Sequence, residues 1–437
     1  MAAAQPERRL LFICADPVGE QMAGLGIRCV ELARALRGSA AVTVAHGGPT
    51  AGTHEGIELV PFRPHAPGAV RALIEGADMV VAHPQWPLVT RWLRRSGARV
   101  VIDLYCPETL ETLELLAGER AGVRRQMTAG TLDRLHASLR TGHHFVCASE
   151  TQRDLWLGSM LALRLIGPDL YDREPALREV IDLVPFGVPA EPFDGAGEGP
   201  RELIEGIHAD DEIVLWNGGI WSWLDAASAI RAVAQLTARR PRAKLVFMGV
   251  GGSSPAAVRS AGAARELAQE LGVLGSAVFF HEHWVPYAQR GAWLAQAACA
   301  VSAHTEHLES RFAYRTRVLD CFWAALPVVC TSGDDLAEQI EREQLGETVA
   351  PQDESALAAA LERVLTRGRE PYAPALRAAA ARQTWPRVAA PLARWLQAPG
   401  PARRPGEEPG VLHPPLAQRA REAAYLAGGR VLLDRRR

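Results

Sequence analysis

Three arginines within seven residues, Arg311, Arg315 and Arg317, open a segment that then turns amphipathic at helical spacing, with Val318, Leu319, Phe322 and Trp323 on one face. A short β-branched run follows Pro327. Cations beside the free backbone N–H groups of a helix start make a seat for a phosphate-bearing ligand. One turn further in, Asp320 is placed to accept hydrogen bonds from a sugar hydroxyl. The bland alternative is a solvated basic helix end. The ligand reading gains weight from LWNGGIWSWLD upstream, where a strand ends in Gly218 and Gly219. Glycines admit a diphosphate to the backbone, with Asn217, Trp221 and Trp223 as the wall and Asp225 as cap of the next helix. Tryptophans so close together are also common packing residues.

Other strand ends carry polar groups. His281 and His283 form an H-x-H with no third ligand at suitable spacing, so no metal site is expected. That loop reads better as the frame of a nucleobase, through Trp284 and the Val285 backbone. The stretch 304–309 supplies His304, His307 and Glu309 to face a sugar, and 248–254 is a second glycine cluster. In the first half, Gly24 and Gly26 precede a helix without the full G-x-G-x-x-G spacing of a dinucleotide site, and no G-x-x-x-x-G-K-[ST] loop occurs. His83 follows one apolar run, and Asp103, Tyr105 and Glu108 follow another. The histidine could equally be a hydrogen-bonded structural group, and the two acids helix caps.

The elements that must position these residues alternate. Strand candidates at 10–15, 41–45, 79–82, 100–103 and 145–148 are separated by helical patterns, and 184–189 gives a strand followed by a turn. The Gly/Glu/Pro-rich stretch 191–200 reads as a linker. A second alternation has strands at 213–216, 244–248, 278–280, 300–302, 328–330 and 347–349, with helices from Asp225, from Pro255 and over 354–365. Such alternation predicts parallel sheets covered by helices, with ligands beyond the carboxyl ends of the strands. Residues 399–415 read as a disordered linker, and 416–433 as a weak helix interrupted by Gly428 and Gly429.

The chain's 437 residues, 48% of them hydrophobic, can bury two domain-sized cores. A formal charge of −2 and a pI near 6.7 give no nucleic-acid bias. Lys244 is the single lysine, so an anion site here is built from arginine and backbone. Seven scattered cysteines without a C-x-x-C pair suggest reduced thiols in a cytoplasmic protein. The six apolar residues after the N-terminal arginines are too few for a signal peptide, and no run of about 18 apolar residues occurs.

In order, the glycine loop before VELARAL, then VPFGV, LWNGG, KLVFMGVG, RTRVLDCFWAALPVV and TWPRV make residues 10–396 resemble the retaining glycosyltransferases of family 4, as a divergent bacterial branch. The resemblance implies an α/β protein of the GT-B fold, two Rossmann-like doubly wound domains facing across a cleft. It divides the chain into an acceptor-side domain over 1–190, a nucleotide-sugar-binding domain over 200–383, a closing helix over 384–398 that returns to the first domain, and a disordered linker with a basic tail over 399–437. It further implies transfer with retained configuration, no bound metal, and no cofactor beyond a UDP-, GDP- or dTDP-sugar donor.

By position, Asp320 matches the acid that binds the nucleotide ribose. Tyr314, Arg315 and Thr316 match the turn whose amides hold the diphosphate, and Gly26 matches the loop facing phosphate and acceptor. Three departures are visible. Phe312 stands eight residues before Asp320, where the family has its first glutamate, and Glu309 is the nearest acid. The family's basic pair is missing from 217–225, which leaves Arg311, Arg315 or Arg317 to supply the charge. Tyr105 stands at the family's strand-end histidine, which leaves His83, Asp103 and Glu108 as substitutes. The catalytic candidates are therefore His83, Asp103, Glu108 and Glu309. The donor-binding candidates are Gly26, Asn217, Gly218, Gly219, Trp223, Trp284, Val285, Arg311, Tyr314, Arg315, Thr316, Arg317 and Asp320.

The expected acceptor is a glycan, a lipid-linked glycan or a small molecule in cell-envelope polysaccharide synthesis. The tail arginines, with Leu416, Leu426, Val431 and Leu432, offer weak contact with the inner face of the cell membrane, against the commoner alternative of a solvated tail. The rival functions are a GT-B-shaped sugar-nucleotide epimerase and a catalytically silent partner subunit.

Overall fold

The computed structural model describes residues 8–63, 66–249, 255–398, 404–407 and 416–427. The chain divides into two compact units, one of residues 1–185 with 385–437 and one of residues 186–384. Among the described residues no helix is long and apolar enough to cross a membrane.

The first unit is built on β1 (Arg9–Cys14), β2 (Ala41–His46), β3 (Gly52–His54), β4 (Ile57–Pro61), β5 (Met79–Ala82), β6 (Arg99–Asp103), β7 (His144–Cys147) and β8 (Ile181–Leu183), in the order β3-β4-β2-β1-β5-β6-β7-β8. All neighbours are parallel except β3 and β4. Parallel strands are covered on both faces, which is why β1 and β5 read as unbroken apolar runs. From β1 the chain runs outward through β2 and then resumes on the other side at β5. The order therefore reverses between β1 and β5, where doubly wound sheets bind ligands.

The β3–β4 hairpin has no counterpart among the strands expected from sequence. Its turn is Glu55-Gly56, both at positive φ, and β3 is exposed throughout, so it carries no hydrophobic alternation. β8 likewise ends at Leu183, before the strand expected over 184–189. Residues Trp385–Val388 and Ala390–Gln397 form helices of this same unit. Arg99 donates to the Trp395 carbonyl (2.9 Å) and covers its ring at 4.0 Å, while His144 stacks on that ring at 4.9 Å. Of the tail, Leu416–Ala427 is helical and packs on the helices Pro87–Arg95 and Ala121–Leu139. Residues 399–403, 408–415 and 428–437 lie outside the described residues, and with them most of the expected linker and the terminal arginines.

The second unit has β9 (Glu212–Trp216), β10 (Ala243–Phe247), β11 (Val278–Phe280), β12 (Ala297–Ser302), β13 (Val328–Thr331) and β14 (Gly346–Val349), all parallel, in the order β11-β10-β9-β12-β13-β14. Here the order reverses between β9 and β12. The stretch 191–200, expected as a linker, is packed against this unit. Glu191 accepts from Trp323 Nε1 at 3.0 Å, and Phe193 meets the Trp323 ring edge-on at 4.9 Å. Apolar residues among the glycines anchor it there.

Gly346 opens β14 opposite Val328, and a Cβ there would lie 1.9 Å from the Val328 carbonyl oxygen. Gly262 lies within the helix Pro255–Glu270 with nothing in the way of a Cβ. Gly346→Ala is therefore expected to cost about 1–3 kcal/mol in urea unfolding, whereas Gly262→Ala gains about 0.5–1 kcal/mol from helix propensity. Equal midpoints for the two variants would contradict this packing.

Candidate functional site

Both reversal points collect polar groups. In the second unit β9 runs straight into Asn217, Gly218 and Gly219. Gly218 takes φ +114°, a conformation that excludes other residues without strain. Asp225 caps the helix Ala226–Thr237, its carboxylate accepting from Ser228 N (2.9 Å) and Ser228 Oγ (2.6 Å). From β13 comes the helix Asp335–Glu343, capped by Asp334.

The three arginines sit in three environments. Arg311 is exposed at the end of the helix Leu308–Phe312. Arg315 is buried. It forms an ion pair with Asp334 and donates to the Thr331 carbonyl (2.9 Å) and Oγ1 (3.2 Å). Its charge is therefore met within the protein, although burial still holds the Asp334 carboxyl above its usual range against the pull of Arg315.

Arg317 is the exception. It lies on the helix Thr316–Trp323, half-buried, over the Trp216 ring at 5.5 Å, and donates to the Gly219 carbonyl at 3.2 Å. Asn217 Nδ2 in turn donates to the Arg317 carbonyl at 3.1 Å. Among the described residues no carboxylate lies within ion-pair distance of Arg317, and its Nη1 is buried without a partner. Burial first, and then the Arg315 charge, pull the guanidinium down to about 10. His304, just past β12 and 3% exposed, has an unpartnered Nδ1. Burial, with Arg315 and Arg317 adding to it, keeps that imidazole neutral, well below its ordinary range. The arrangement is an electropositive cluster beside a glycine turn, with no carboxylate among the described residues paired to Arg317.

The remaining donor-side candidates also lie in the second unit. Thr316 begins the Arg317 helix, its N–H bonded to the Tyr314 carbonyl at 2.8 Å, and Tyr314 is half-buried. Asp320, on the same helix, pairs through Oδ1 with Arg290 Nε at 3.0 Å; Arg290 also lies over the Tyr287 ring (3.5 Å) and the Trp323 ring (5.0 Å). Trp223 stacks on Trp221 with ring centres 5.4 Å apart, and its carbonyl lies 3.2 Å from His307 Nε2. Glu309 is buried with His307 Nδ1 at 3.6 Å. His307 also caps its own helix by accepting from Ser310 N. A Cβ at Gly249 would meet the Val285 nitrogen and the His283 carbonyl oxygen at 3.6 Å, ordinary contact, and Trp284 lies in the loop between those two residues. Residues 250–254 of the second glycine cluster lie outside the described residues. Among the described residues no group of three or more His, Cys, Asp or Glu side chains is arranged to hold a metal ion.

In the first unit, Gly26 opens the helix Gly24–Leu36 where a Cβ would lie 2.5 Å from the Pro17 carbonyl. The loop itself demands that glycine. Asp103, at the end of β6, is gripped by Arg28 through two hydrogen bonds, Nε–Oδ2 at 2.7 Å and Nη2–Oδ1 at 3.0 Å. Both side chains are essentially sealed from solvent. His83 Nε2 faces Asp103 Oδ2 at 3.6 Å. Glu108 begins its helix as Glu108–Leu115 and pairs with Arg134, whose guanidinium lies 5.3 Å from the Trp86 ring centre.

Three groups here escaped the reading of the sequence. Arg28 sits in the apolar stripe of its helix, a signal that could have been used. Asp16, raised by burial and partly offset by His83, lies two residues past the end of β1. Glu111 is raised to about 7 by burial, with a Cys106 hydrogen bond opposing and Asp16 adding to the shift; nothing in its spacing marks it.

Residues 211–367 match the family described as glycosyl transferases group 1. No curated protein matches the chain. Among solved structures the chain is similar to WaaG, a glycosyltransferase involved in lipopolysaccharide biosynthesis, at 18% identity over 89% of this chain and 100% of that one, with a TM-score of 0.61. It is also similar to sucrose-phosphate synthase from Thermosynechococcus elongatus (16%, 90% and 98%, TM-score 0.60) and to Anabaena HepE in complex with UDP-glucose (13%, 89% and 99%, TM-score 0.62). The fold is thus α/β with two parallel-sheet Rossmann-like halves, as in GT-B glycosyltransferases. The family match and the shared fold support a transferase.

The buried Arg315 and the half-buried Arg317 should differ in stability effect. Removing Arg315 strands the Asp334 carboxylate, so Arg315→Met is expected to cost about 3–5 kcal/mol. Removing Arg317 relieves an uncompensated cation, so Arg317→Met should leave the unfolding midpoint unchanged or raised. Thermal and urea melts of both variants check this, and a large loss with Arg317→Met would show that its charge is met after all.

Proposed function

We propose that the chain is a retaining glycosyltransferase of the family 4 type, which moves a sugar from a nucleoside-diphosphate donor onto an acceptor hydroxyl. The observation that carries the reading is Arg317, a cation without a carboxylate held against the Gly218-Gly219 turn where the strand order of the second unit reverses. HepE, solved with UDP-glucose, supports a nucleotide-sugar as donor.

In this reading the diphosphate occupies the pocket formed by the glycine turn, the start of the helix Thr316–Trp323 and Arg317. Negative charge grows on the departing phosphate oxygen as the bond to the sugar breaks, so donors fixed there bind the transition state more tightly than the ground state. That oxygen takes the proton of the incoming hydroxyl on the same face, so retention needs no separate base. Asp320, clamped by Arg290 through Oδ1, presents its other oxygen to the ribose. Arg317 supplies the positive charge of the family's absent basic pair. The likeness to WaaG favours a glycan or lipid-linked acceptor of the cell envelope.

The test incubates the full chain with UDP-, GDP- and dTDP-sugars, with and without a glycan acceptor extract. Nucleotide release that depends on the acceptor is expected for one nucleotide series, with a thermal shift from the same donor. Asp320→Asn should weaken that donor about tenfold through the lost charge-assisted hydrogen bond. Sugar isomerisation without acceptor would instead identify an epimerase, and binding without turnover a silent subunit; either result overturns the reading.

A further inference from the structure

Arg28 is 0% exposed, and each of its three guanidinium nitrogens donates a hydrogen bond. Besides its two bonds to Asp103, it donates to the carbonyls of Val184 (2.7 Å) and Pro185 (3.0 Å). One side chain therefore ties the helix after the Gly26 loop, the end of β6 and the segment after β8. Such a pair fixes Asp103 in position, since a bidentate guanidinium–carboxylate contact defines both planes. Tyr105 adds to this, its N–H reaching Asp103 Oδ1 at 3.2 Å and its ring lying 4.8 Å from the Arg28 guanidinium. Beyond the pair lies His83, on the adjacent strand end. Its Nε2 is buried without a hydrogen-bond partner, and Asp103 Oδ2 lies 3.6 Å from it, close enough for its charge to act on the ring. Asp103 is thus no base. Its oxygens are occupied, and what it offers is a fixed negative charge on one side of an imidazole.

We propose that the Arg28–Asp103 pair sets the tautomer of His83, with the proton on Nε2 toward Asp103 and the lone pair on Nδ1, so that His83 accepts a hydrogen bond from a hydroxyl of the acceptor. This rests on the glycosyl-transfer reading and assigns its acceptor-side contact. His83 touches substrate; Arg28 and Asp103 are positioning residues. A neutral imidazole is needed, and the charged groups facing it are Asp103 and Asp16, which favour protonation, and Arg28, which opposes it, while burial dominates and keeps the ring neutral. Protonation of Nδ1 removes the lone pair, so the acid limb of kcat/KM reports His83.

The signs follow from the charges. Asp103→Asn removes a negative neighbour, so His83 becomes harder to protonate and the acid limb moves to lower pH by about one unit. Acceptor KM rises at every pH, because the tautomer is no longer fixed. Arg28→Met removes a positive neighbour and moves the limb to higher pH. If that variant does not fold, the apolar pair Arg28→Met with Asp103→Leu takes its place; it lacks the positive neighbour that Asp103→Asn keeps, so its limb is expected at higher pH than that of Asp103→Asn.

The same shifts are read without turnover by 15N NMR of histidine-labelled full chain, with the His83 signal assigned by its loss in His83→Gln. Donor affinity, measured separately by thermal shift, should be unchanged in all these variants. Opposite shifts for Arg28 and Asp103 variants bear the proposal out. A common loss of activity with an unmoved His83 titration and an unmoved acid limb would overturn it and show a purely structural pair. Absence of acceptor-dependent turnover in the unaltered chain counts against the glycosyl-transfer reading instead, and the NMR shifts still decide the tautomer.

Discussion

An arginine buried beside a carboxylate and an arginine half-buried beside a carbonyl are different objects. Arg315 has Asp334 and forms part of the scaffold. Arg317, two residues on, has the Gly219 carbonyl and the face of Trp216, and its guanidinium remains short of a counter-charge. Desolvating a cation costs free energy that a carbonyl and a ring recover only in part. A folded protein retains such an arrangement where an anion repays it, and the neighbouring groups agree. Gly218 leaves the backbone open, Asn217 pins the arginine's own carbonyl, and the neutral His304 adds no competing charge. The functional reading depends on this imbalance.

The first unit solves the opposite problem. Arg28 and Asp103 neutralise each other, and the two carbonyls of 184–185 accept from Nη2 and Nη1 of the same guanidinium. A pair that is closed in this way does no acid–base chemistry. It orients, and the group left to be oriented is His83. Asp16, whose charge acts on His83, and Glu111, whose charge is felt beside Asp16, are partly exposed carboxyls that burial raises. The two units thus divide the chemistry by charge, with an unmatched cation in one and a held imidazole beside carboxyls in the other.

Much of this was legible in the sequence because parallel sheets write themselves as apolar runs punctuated by glycine and polar residues. Strands such as Met79–Ala82 and Val328–Thr331 fall where their runs lie, and the reversal points are where the glycine loops and the arginine segment were read. The exposed β3–β4 hairpin escaped because no buried face imposes alternation on it. The stretch 191–200 looked like a linker because composition does not show that Phe193 and Glu191 meet Trp323. The partners of the candidate residues were invisible for a similar reason. Asp103 and Arg28 are 75 positions apart, and Asp334 reaches Arg315 only because β13 returns beside β12. Spacing indicated that three arginines were near a helix start; only packing shows that one of them keeps its charge available.

The most direct measurement is a double-mutant cycle between Arg317 and the phosphates of the ligand, by calorimetric titration of the full chain and its Arg317→Met variant with a nucleoside diphosphate and with the corresponding nucleoside. The account predicts a coupling of at least about 1.4 kcal/mol, a tenfold change in affinity, confined to the diphosphate, with nucleoside binding equal in both proteins. Equal loss for nucleoside and diphosphate, or no loss at all, would contradict it.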